Sequence, residues 1–252
     1  MQSIDIKEVI RISEAAGKEI LNVYKQEDFS KDIEIKADDS PLTKADKAAN
    51  DVIVSELSRL YSTIPILSEE EKEAPYSERK NWTSFWCVDP LDGTKEFIKR
   101  NGQFTVNIAL IVDGFPVLGV VYAPVLDVYF CADANGAFKI EKGITSPLKV
   151  NHKNENRIAV GSASHAAPEE AVLLDKYNVT KTITVGSSLK FCMLADGKAD
   201  IYYRHGPTME WDTAAGQAVL EGAGGTVSNL EGVRFKYNKE VLRNSSFLCL
   251  GF

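Results

Sequence analysis

The stretch Ser84-Phe85-Trp86-Cys87-Val88-Asp89-Pro90-Leu91-Asp92-Gly93-Thr94 carries the densest information in the chain. Its first five residues are an apolar run of strand length, bounded by turn-forming residues, and predict a buried strand. The strand then ends on two carboxylates three residues apart, with Pro90 fixing one backbone torsion and Gly93 marking a turn. Asp89, Asp92 and the exposed carbonyl of Leu91 thereby place hard oxygen donors around one point, the donor chemistry that magnesium takes.

Two further acidic segments sit where elements change. Ile66-Leu67-Ser68 ends an apolar strand on Glu69-Glu70-Glu71, and Trp211-Asp212 opens a helical pattern in which an Asp is an ordinary amino-terminal cap. Taken singly, the first is a solvated acidic run and the second a cap. Taken with Asp89 and Asp92, they bring strand-end and helix-start acids from both halves of the chain toward one cleft, as a multi-metal oxygen site requires.

Around these segments the periodicity is clear. Ile6, Val9, Ile10, Ile20, Leu21 and Tyr24 recur at helical spacing, as do Ala48, Ala49, Val52, Ile53, Leu57 and Leu60, while residues 33–36 alternate as a strand does. Runs 105–112 and 117–122 flank Asp113-Gly114, and runs 128–132 and 137–140 flank Asn135-Gly136, so two hairpins are predicted. Residues 1–150 therefore read as an amino-terminal α+β half, helices on one antiparallel or mixed sheet, carrying most of the acids. From residue 151 to 252, strands at 158–161 and 182–185 alternate with helices at 168–177, 189–195 and 212–221, an α/β half that carries Asp212. The polar segment 151–156 marks the boundary.

With 44% hydrophobic and 26% charged residues, the 252-residue chain has the composition of an ordinary globular protein. Its 29 basic and 36 acidic residues give a net charge of −7, which argues against a nucleic-acid or anionic-membrane partner, since both need a basic face. Cys87, Cys131, Cys192 and Cys249 lie far apart in apolar runs and form no Cys-x-x-Cys pair. They read as buried thiols of a cytoplasmic protein. The most apolar stretch, 105–130, is interrupted by Asp113-Gly114, Pro116, Pro124 and Asp127, so no membrane-spanning segment is expected; peripheral attachment and oligomeric state stay open.

The acidic blocks also resemble a known family. Glu69-Glu70, the hexapeptide from Asp89 to Thr94, and Trp211-Asp212 followed by Ala214-Ala215-Gly216 are similar, in order and spacing, to the three signature blocks of the lithium-sensitive, magnesium-dependent inositol-phosphatase superfamily. Within it, Lys95-Glu96-Phe97-Ile98, Asn107-Ile108-Ala109-Leu110, Gly186-Ser187-Ser188-Leu189-Lys190 and Arg204-His205-Gly206-Pro207-Thr208 resemble the CysQ-type 3′(2′),5′-bisphosphate nucleotidases. Inositol monophosphatases typically carry Thr-Asn-Phe after the Gly-Thr.

That resemblance implies an α+β / α/β fold, a layered α/β/α/β/α sandwich. It also implies two or three magnesium ions, inhibition by lithium, and a metal cluster bound by Glu69, Asp89, Asp92, Asp212 and the Leu91 carbonyl, with Glu70 as the second choice beside Glu69. Asp46 matches an acid that holds a further magnesium or orients water, and Thr94 the hydroxyl that positions the attacking water with Asp46 or Glu69. Gly93, Thr94, His165, Ser187, Lys190, Arg204 and Asp212 match substrate contacts. Independently of the family, Ser187 and Ser188 after Gly186 stand at a predicted helix start, where backbone N–H groups favour an anion.

The implied reaction is hydrolysis of the 3′-phosphate of adenosine 3′,5′-bisphosphate to AMP and phosphate, with 3′-phosphoadenylyl sulfate as a further substrate, linked to sulfur assimilation and nucleotide recycling. An inositol monophosphatase and a non-catalytic phosphate sensor on the same scaffold are the alternatives, because fold alone does not fix function. A haloacid-dehalogenase loop would space its two acids two apart, not three. Gly222-Ala223-Gly224-Gly225 follows a helix and precedes a strand, the reverse of a dinucleotide-binding loop.

Overall fold

A computed structural model of the chain describes residues 4–26, 33–35, 41–152, 154–161 and 173–252. Helix α1 (Ile6–Tyr24) begins at Asp5, whose side chain accepts from Lys7 N; helix α2 (Lys44–Leu60) begins with a capping box made by Thr43 and Asp46. Their apolar stripes, among them Val9, Ile12, Ala16 and Ile20 of α1 and Ala45, Ala49, Ile53 and Leu57 of α2, are buried in one cluster with strand residues such as Trp86, Val106 and Val120. Strands β1 (Ile33–Ile35) and β2 (Pro41–Thr43) pair antiparallel between the two helices in sequence.

The sheet they cover has seven strands in chain order: β3 (Ile66–Ser68), β4 (Ser84–Asp92), β5 (Thr105–Val112), β6 (Phe115–Ala123), β7 (Val128–Asp133), β8 (Gly136–Glu141) and β9 (Ile144–Pro147). The short helices α3 (Tyr76–Arg79) and α4 (Thr94–Ile98) lie on either side of β4 in sequence. Only β3 and β4 run parallel; every other neighbour is antiparallel. Phe85 and Cys87 face one core cluster while Trp86 and Val88 face the other. Both faces are therefore dry, which explains why β4 and β5 read as continuous apolar runs rather than alternating ones.

Against the second face pack α5 (Leu189–Ala195) and α6 (Glu210–Gly222), and beyond them a five-stranded sheet ordered β11 (Val179–Thr184), β10 (Arg157–Gly161), β12 (Ile201–Arg204), β14 (Phe247–Leu250), β13 (Thr226–Asn229). The outer side of that sheet, at Ile201, Tyr203 and Leu248, is covered by Leu173, Leu174 and Tyr177, of which 173 and 174 are helical. The layers run α/β/α/β/α. Helix α6 lies so close to β6 that a Cβ on Gly119 would stand 2.7 Å from both the Ala215 carbonyl and Ala218 Cβ.

Several expectations shift. The helix read from Asp212 starts at Glu210, with Met209 as its cap, so Asp212 is the third helical residue rather than the cap itself. The exposed edge strand β9 and the short strands β12 and β14 carry no clear sequence signal of their own. Residues 168–172 of the helix predicted at 168–177 lie outside the described residues, and 173–176 are helical. No described helix is long and apolar enough to cross a membrane, and all four cysteines are free and buried.

Candidate active site

The hexapeptide's geometry follows from one irregularity in the sheet. Asp89 pairs with Asn107 and Asp92 with Thr105, so three steps along β4 match two along β5. Residues three apart on a regular strand point to opposite faces, and one extra residue resets that alternation. The bulge, built on Pro90 and Leu91, therefore turns both Asp89 and Asp92 to the face on which α6 lies. Gly93 follows at φ +93°, a torsion that favours glycine, and opens α4 with Thr94 as its first residue.

Parallel pairing of β3 with β4 sets Ser68 beside Val88, and Glu69 N donates to the Val88 carbonyl at 3.2 Å. Glu69 is thus delivered next to Asp89. Its loop is pinned from α2, where Asn50 accepts from Ser68 Oγ at 2.7 Å and donates to Glu71 at 2.7 Å. From the other side, Asp212 in the first turn of α6 accepts from Met209 N at 2.8 Å. Glu69, Asp89 and Asp212 each offer one carboxylate oxygen, all within 4.8 Å of one another, and it is Glu69 rather than Glu70 that joins this triad.

Asp92 borders the same cleft outside the triad. Its Oδ2 accepts from Ser188 N and from Asn107 Nδ2, the latter at 3.4 Å. Beneath it, Ser188 Oγ donates to Asn107 Oδ1 at 2.7 Å and lies 2.8 Å from Thr105 Oγ1. Thr94 Oγ1 donates to Asp46 Oδ1 at 3.2 Å, and the other Asp46 oxygen accepts from Thr43 N and Oγ1 at 2.8 and 2.6 Å. The side chain of Thr94 is thus held by a buried acid from a different element.

Electrostatics mark the cluster as strained without a cation. Burial, reinforced by the charges of Glu69, Asp92, Asp212 and Asp46, pushes the Asp89 carboxyl well above the usual carboxylate range. Burial and the Asp92 charge do the same to Asp212. Burial carries Asp92 up to about 6, although Lys190, the Ser188 N–H and Asn107 all pull it down. Burial and their neighbours push Asp89, Asp92 and Asp212 toward the protonated state, and with Glu69 and the Leu91 carbonyl they make a donor set that a divalent cation would relieve.

The cleft continues past the acids. One part, of about 340 Å³, is bordered by Glu69, Asp89, Leu91, Asp92, Gly93, Thr94, Arg204 and Asp212. An adjoining part, of about 170 Å³, adds Ser187, Lys190, Tyr202 and Thr208. Lys190 is only 6% exposed, donates to the Val185 and Ser187 carbonyls at 3.2 and 2.7 Å, and stands 5.5 Å from the centre of the Tyr202 ring. Burial lowers its pKa, partly offset by Asp92. Arg204 is oriented by its bonds to the Gly206 and Pro207 carbonyls at 3.3 and 3.4 Å. His165 lies outside the described residues.

One expectation is corrected here. Of the N–H groups at Ser187 and Ser188 expected to meet an anion before α5, that of Ser188 is in use: it donates to Asp92, and beside it Gly186 N donates to Gln103 Oε1 at 2.8 Å. The anion met at Ser188 is the protein's own carboxylate. Lys95 and Glu96, which border both parts of the cleft, and the Thr105–Asn107–Ser188 network were not singled out as site residues. The available signal was polar Thr105 and Asn107 in an otherwise apolar strand.

Comparison with known proteins agrees with this geometry. The chain matches the profile of the inositol monophosphatase family over residues 5–248. It is 45% identical over 249 residues to the 3′(2′),5′-bisphosphate nucleotidase CysQ of Salmonella typhimurium, covering 98% of both chains, and 42% identical to the CysQ of Buchnera aphidicola, covering 98% of this chain and 92% of that one. The crystal structure of CysQ from Bacteroides thetaiotaomicron superimposes with a TM-score of 0.84 at 40% identity, over 97% of this chain and 96% of that one. An inositol monophosphatase structure from Thermotoga maritima, 21% identical, shares the fold with a TM-score of 0.79 over 98% and 91% of the two chains. This chain belongs to the inositol monophosphatase family.

Proposed function

We propose that the chain is a magnesium-dependent phosphomonoesterase that removes the 3′-phosphate of adenosine 3′,5′-bisphosphate, giving AMP and phosphate, with 3′-phosphoadenylyl sulfate as a second substrate. The carrying observation is the triad of Glu69, Asp89 and Asp212 within 4.8 Å at the floor of a cleft whose wall holds Lys190 and Arg204. The nucleotidase names of the full-length relatives support the choice of substrate. The cleft sits at the seam of two halves, 1–150 and 151–252. The first supplies Asp46, Glu69, Asp89, Leu91, Asp92 and Thr94; the second supplies Asp212, Ser187, Lys190 and Arg204.

Glu69, Asp89, the Leu91 carbonyl, Asp92 and Asp212 would hold the metal. Bound magnesium supplies the positive charge that acidifies a water and offsets charge on the transferring phosphoryl group. Thr94 spends its proton on Asp46, so the lone pairs of its hydroxyl are left to accept from a water in the cleft and aim it at phosphorus. As the water oxygen bonds to phosphorus, one of its protons passes to the Thr94–Asp46 pair and from there to solvent, while the bond to the ribose oxygen breaks and that oxygen takes its proton from solvent. Lys190 and Arg204 face the second phosphate, the charge that an inositol monophosphate lacks.

The test is release of phosphate from adenosine 3′,5′-bisphosphate with magnesium, repeated with added lithium. Turnover that needs magnesium and falls with lithium is expected; faster release from inositol 1-phosphate would overturn the substrate assignment. The four buried thiols fit a reducing compartment, and the cytoplasm is the proposed location.

A further inference from the structure

Arg79 and Glu210 are fully buried charged residues, 131 positions apart in sequence, outside the cleft lining. Arg79 uses both sides of its guanidinium: Nε donates to the Ala74 carbonyl at 2.9 Å, Nη1 to Asn238 Oδ1 at 3.0 Å and the Lys239 carbonyl at 3.1 Å, Nη2 to Glu73 at 2.7 Å and the Glu240 carbonyl at 3.3 Å. Asn238, held at φ +66°, returns a bond from Nδ2 to the Arg79 carbonyl at 2.6 Å and donates its backbone N–H to Glu210 at 2.7 Å. Glu210 also accepts from Lys239 N at 2.9 Å and Lys239 Nζ at 2.6 Å. Lys239 Nζ in turn donates to Asn244 Oδ1 at 3.0 Å, and Asn244 Nδ2 donates to the Met209 carbonyl at 2.7 Å.

The two ends of this chain of bonds are its significant feature. One end grips Glu73 and Ala74, in the segment that continues from Glu69. The other grips Met209 and Glu210, and Met209 N is the donor that orients Asp212. We propose that Arg79, Asn238 and Glu210 form a strut that positions these two acid-bearing segments against each other and thereby sets the affinity for magnesium, a role that rests on the reading of Glu69, Asp89 and Asp212 as its ligands.

The physical argument is preorganisation. Asp212 comes within 4.8 Å of Glu69 and Asp89 only while the first turn of α6 is held against the strand ends. Apolar packing gives burial energy without direction, whereas a fully bonded polar network admits one arrangement of its ends. A buried charge pair adds little net stability over well-packed apolar residues, so geometry is what this one supplies. These are positioning residues, because none of them reaches into the cleft.

The experiment compares Asn238→Gly and Glu210→Gln with Val9→Ala, a cavity variant in α1 far from the strut. Magnesium binding to each purified protein is measured by calorimetry without substrate, beside thermal unfolding in EDTA. The expected result is a magnesium Kd raised roughly tenfold in both strut variants and unchanged in Val9→Ala at a comparable loss of Tm. The magnesium needed for half-maximal phosphate release rises in step, while the rate at saturating magnesium stays within about twofold. A lowered Tm with an unchanged Kd would show a merely structural network and overturn the proposal. If Glu210→Gln does not fold, Asn238→Gly decides alone, since it keeps the +66° torsion and both backbone donors to Glu210. Weakened magnesium binding in the strut variants, with a parent protein that binds magnesium but fails to hydrolyse the nucleotide, would leave the strut standing and reject the substrate assignment instead.

Discussion

Replacing Asp92 with Asn should stabilise the metal-free protein at neutral pH while abolishing its turnover. Burial carries the folded-state pKa of Asp92 up to about 6, whereas an Asp in the unfolded chain titrates near ~3.9. Below about pH 4 both states hold the proton and the group contributes nothing. Between about 4 and 6 the folded state keeps a proton that the unfolded state has released, so stability falls as pH rises. Above 6 the full penalty is present, about 2 pKa units at ~1.4 kcal/mol each, or about 3 kcal/mol. Asn is uncharged, close in shape, and still offers Oδ1 to the Ser188 N–H, so it removes the penalty and keeps the bond. For 252 residues, an unfolding entropy of ~2.1 cal/mol/K per residue converts 3 kcal/mol into a rise of about 6 °C in Tm. Calorimetry in EDTA at pH 8 should show that rise, and the gap should close as the pH is lowered toward 4. Magnesium at about a thousand times its Kd should reverse the order, because only the parent gains the ~4.1 kcal/mol that such a concentration provides. Phosphate release should fall by more than the ~100-fold typical of changes outside the ligand set. An Asp92→Asn protein less stable than its parent in EDTA at pH 8, or a gap independent of pH, would refute the account of the cluster as a site of stored repulsion.

Thr94→Ala removes the hydroxyl held by Asp46 and touches no proposed side-chain ligand, so kcat should drop ~10²–10⁴-fold with magnesium affinity unchanged in a calorimetric titration. Lys190→Ala should raise KM for adenosine 3′,5′-bisphosphate about tenfold or more and that for a monophosphate far less; equal losses on both would show that Lys190 does not read the second phosphate. Gly119→Ala places a methyl 2.7 Å from the backbone of α6 and should cost about 1–3 kcal/mol, read as a lower midpoint in urea. Because that helix carries Asp212, the same variant should bind magnesium more weakly, and an unchanged Kd would mean that α6 yields without moving its first turn.

The site was legible where its residues announce their chemistry in order. Asp89-Pro90-Leu91-Asp92-Gly93-Thr94, Glu69 after a strand and Asp212 at a helix start are all local signals, and the structure gathers them along one cleft. What the spacing of Asp89 and Asp92 did not disclose is how two acids three apart come to share a face. That required the register against β5, a long-range fact, in which Asp92 meets Thr105 across a bulge. The Ser188 N–H before α5 meets the same limit, since it is free in sequence and bonded in space. In the fold, long apolar runs such as β5 and β6 were clear, while β12 and β14 were not. Each of these is a four-residue strand whose identity depends on its neighbours in the sheet, Ile201 beside Leu250 and Arg204 beside Phe247. Local propensity has little to say about so short a segment.

The excess of 36 acids over 29 bases gains a physical meaning from this arrangement. Asp46 and Asp89 are almost completely buried, and Asp89 lies within reach of two further carboxylates of the cleft. A sequence selected for stability alone would place neutral residues there, since like charges brought together out of water destabilise the folded state. The protein instead holds the acids in place with contacts from five separate elements: β3, the β4 bulge, α2, the start of α6 and the segment before α5. The same repulsion is what a divalent cation would neutralise on binding, so under the proposed function the destabilisation and the cation affinity are two aspects of one free energy. The prediction for Asp92→Asn and that for the Arg79–Asn238–Glu210 strut test its two sides. One removes a repelling charge and should raise stability while losing the metal; the other leaves every carboxylate of the cleft in place, loosens the frame, and should lose metal affinity without that gain.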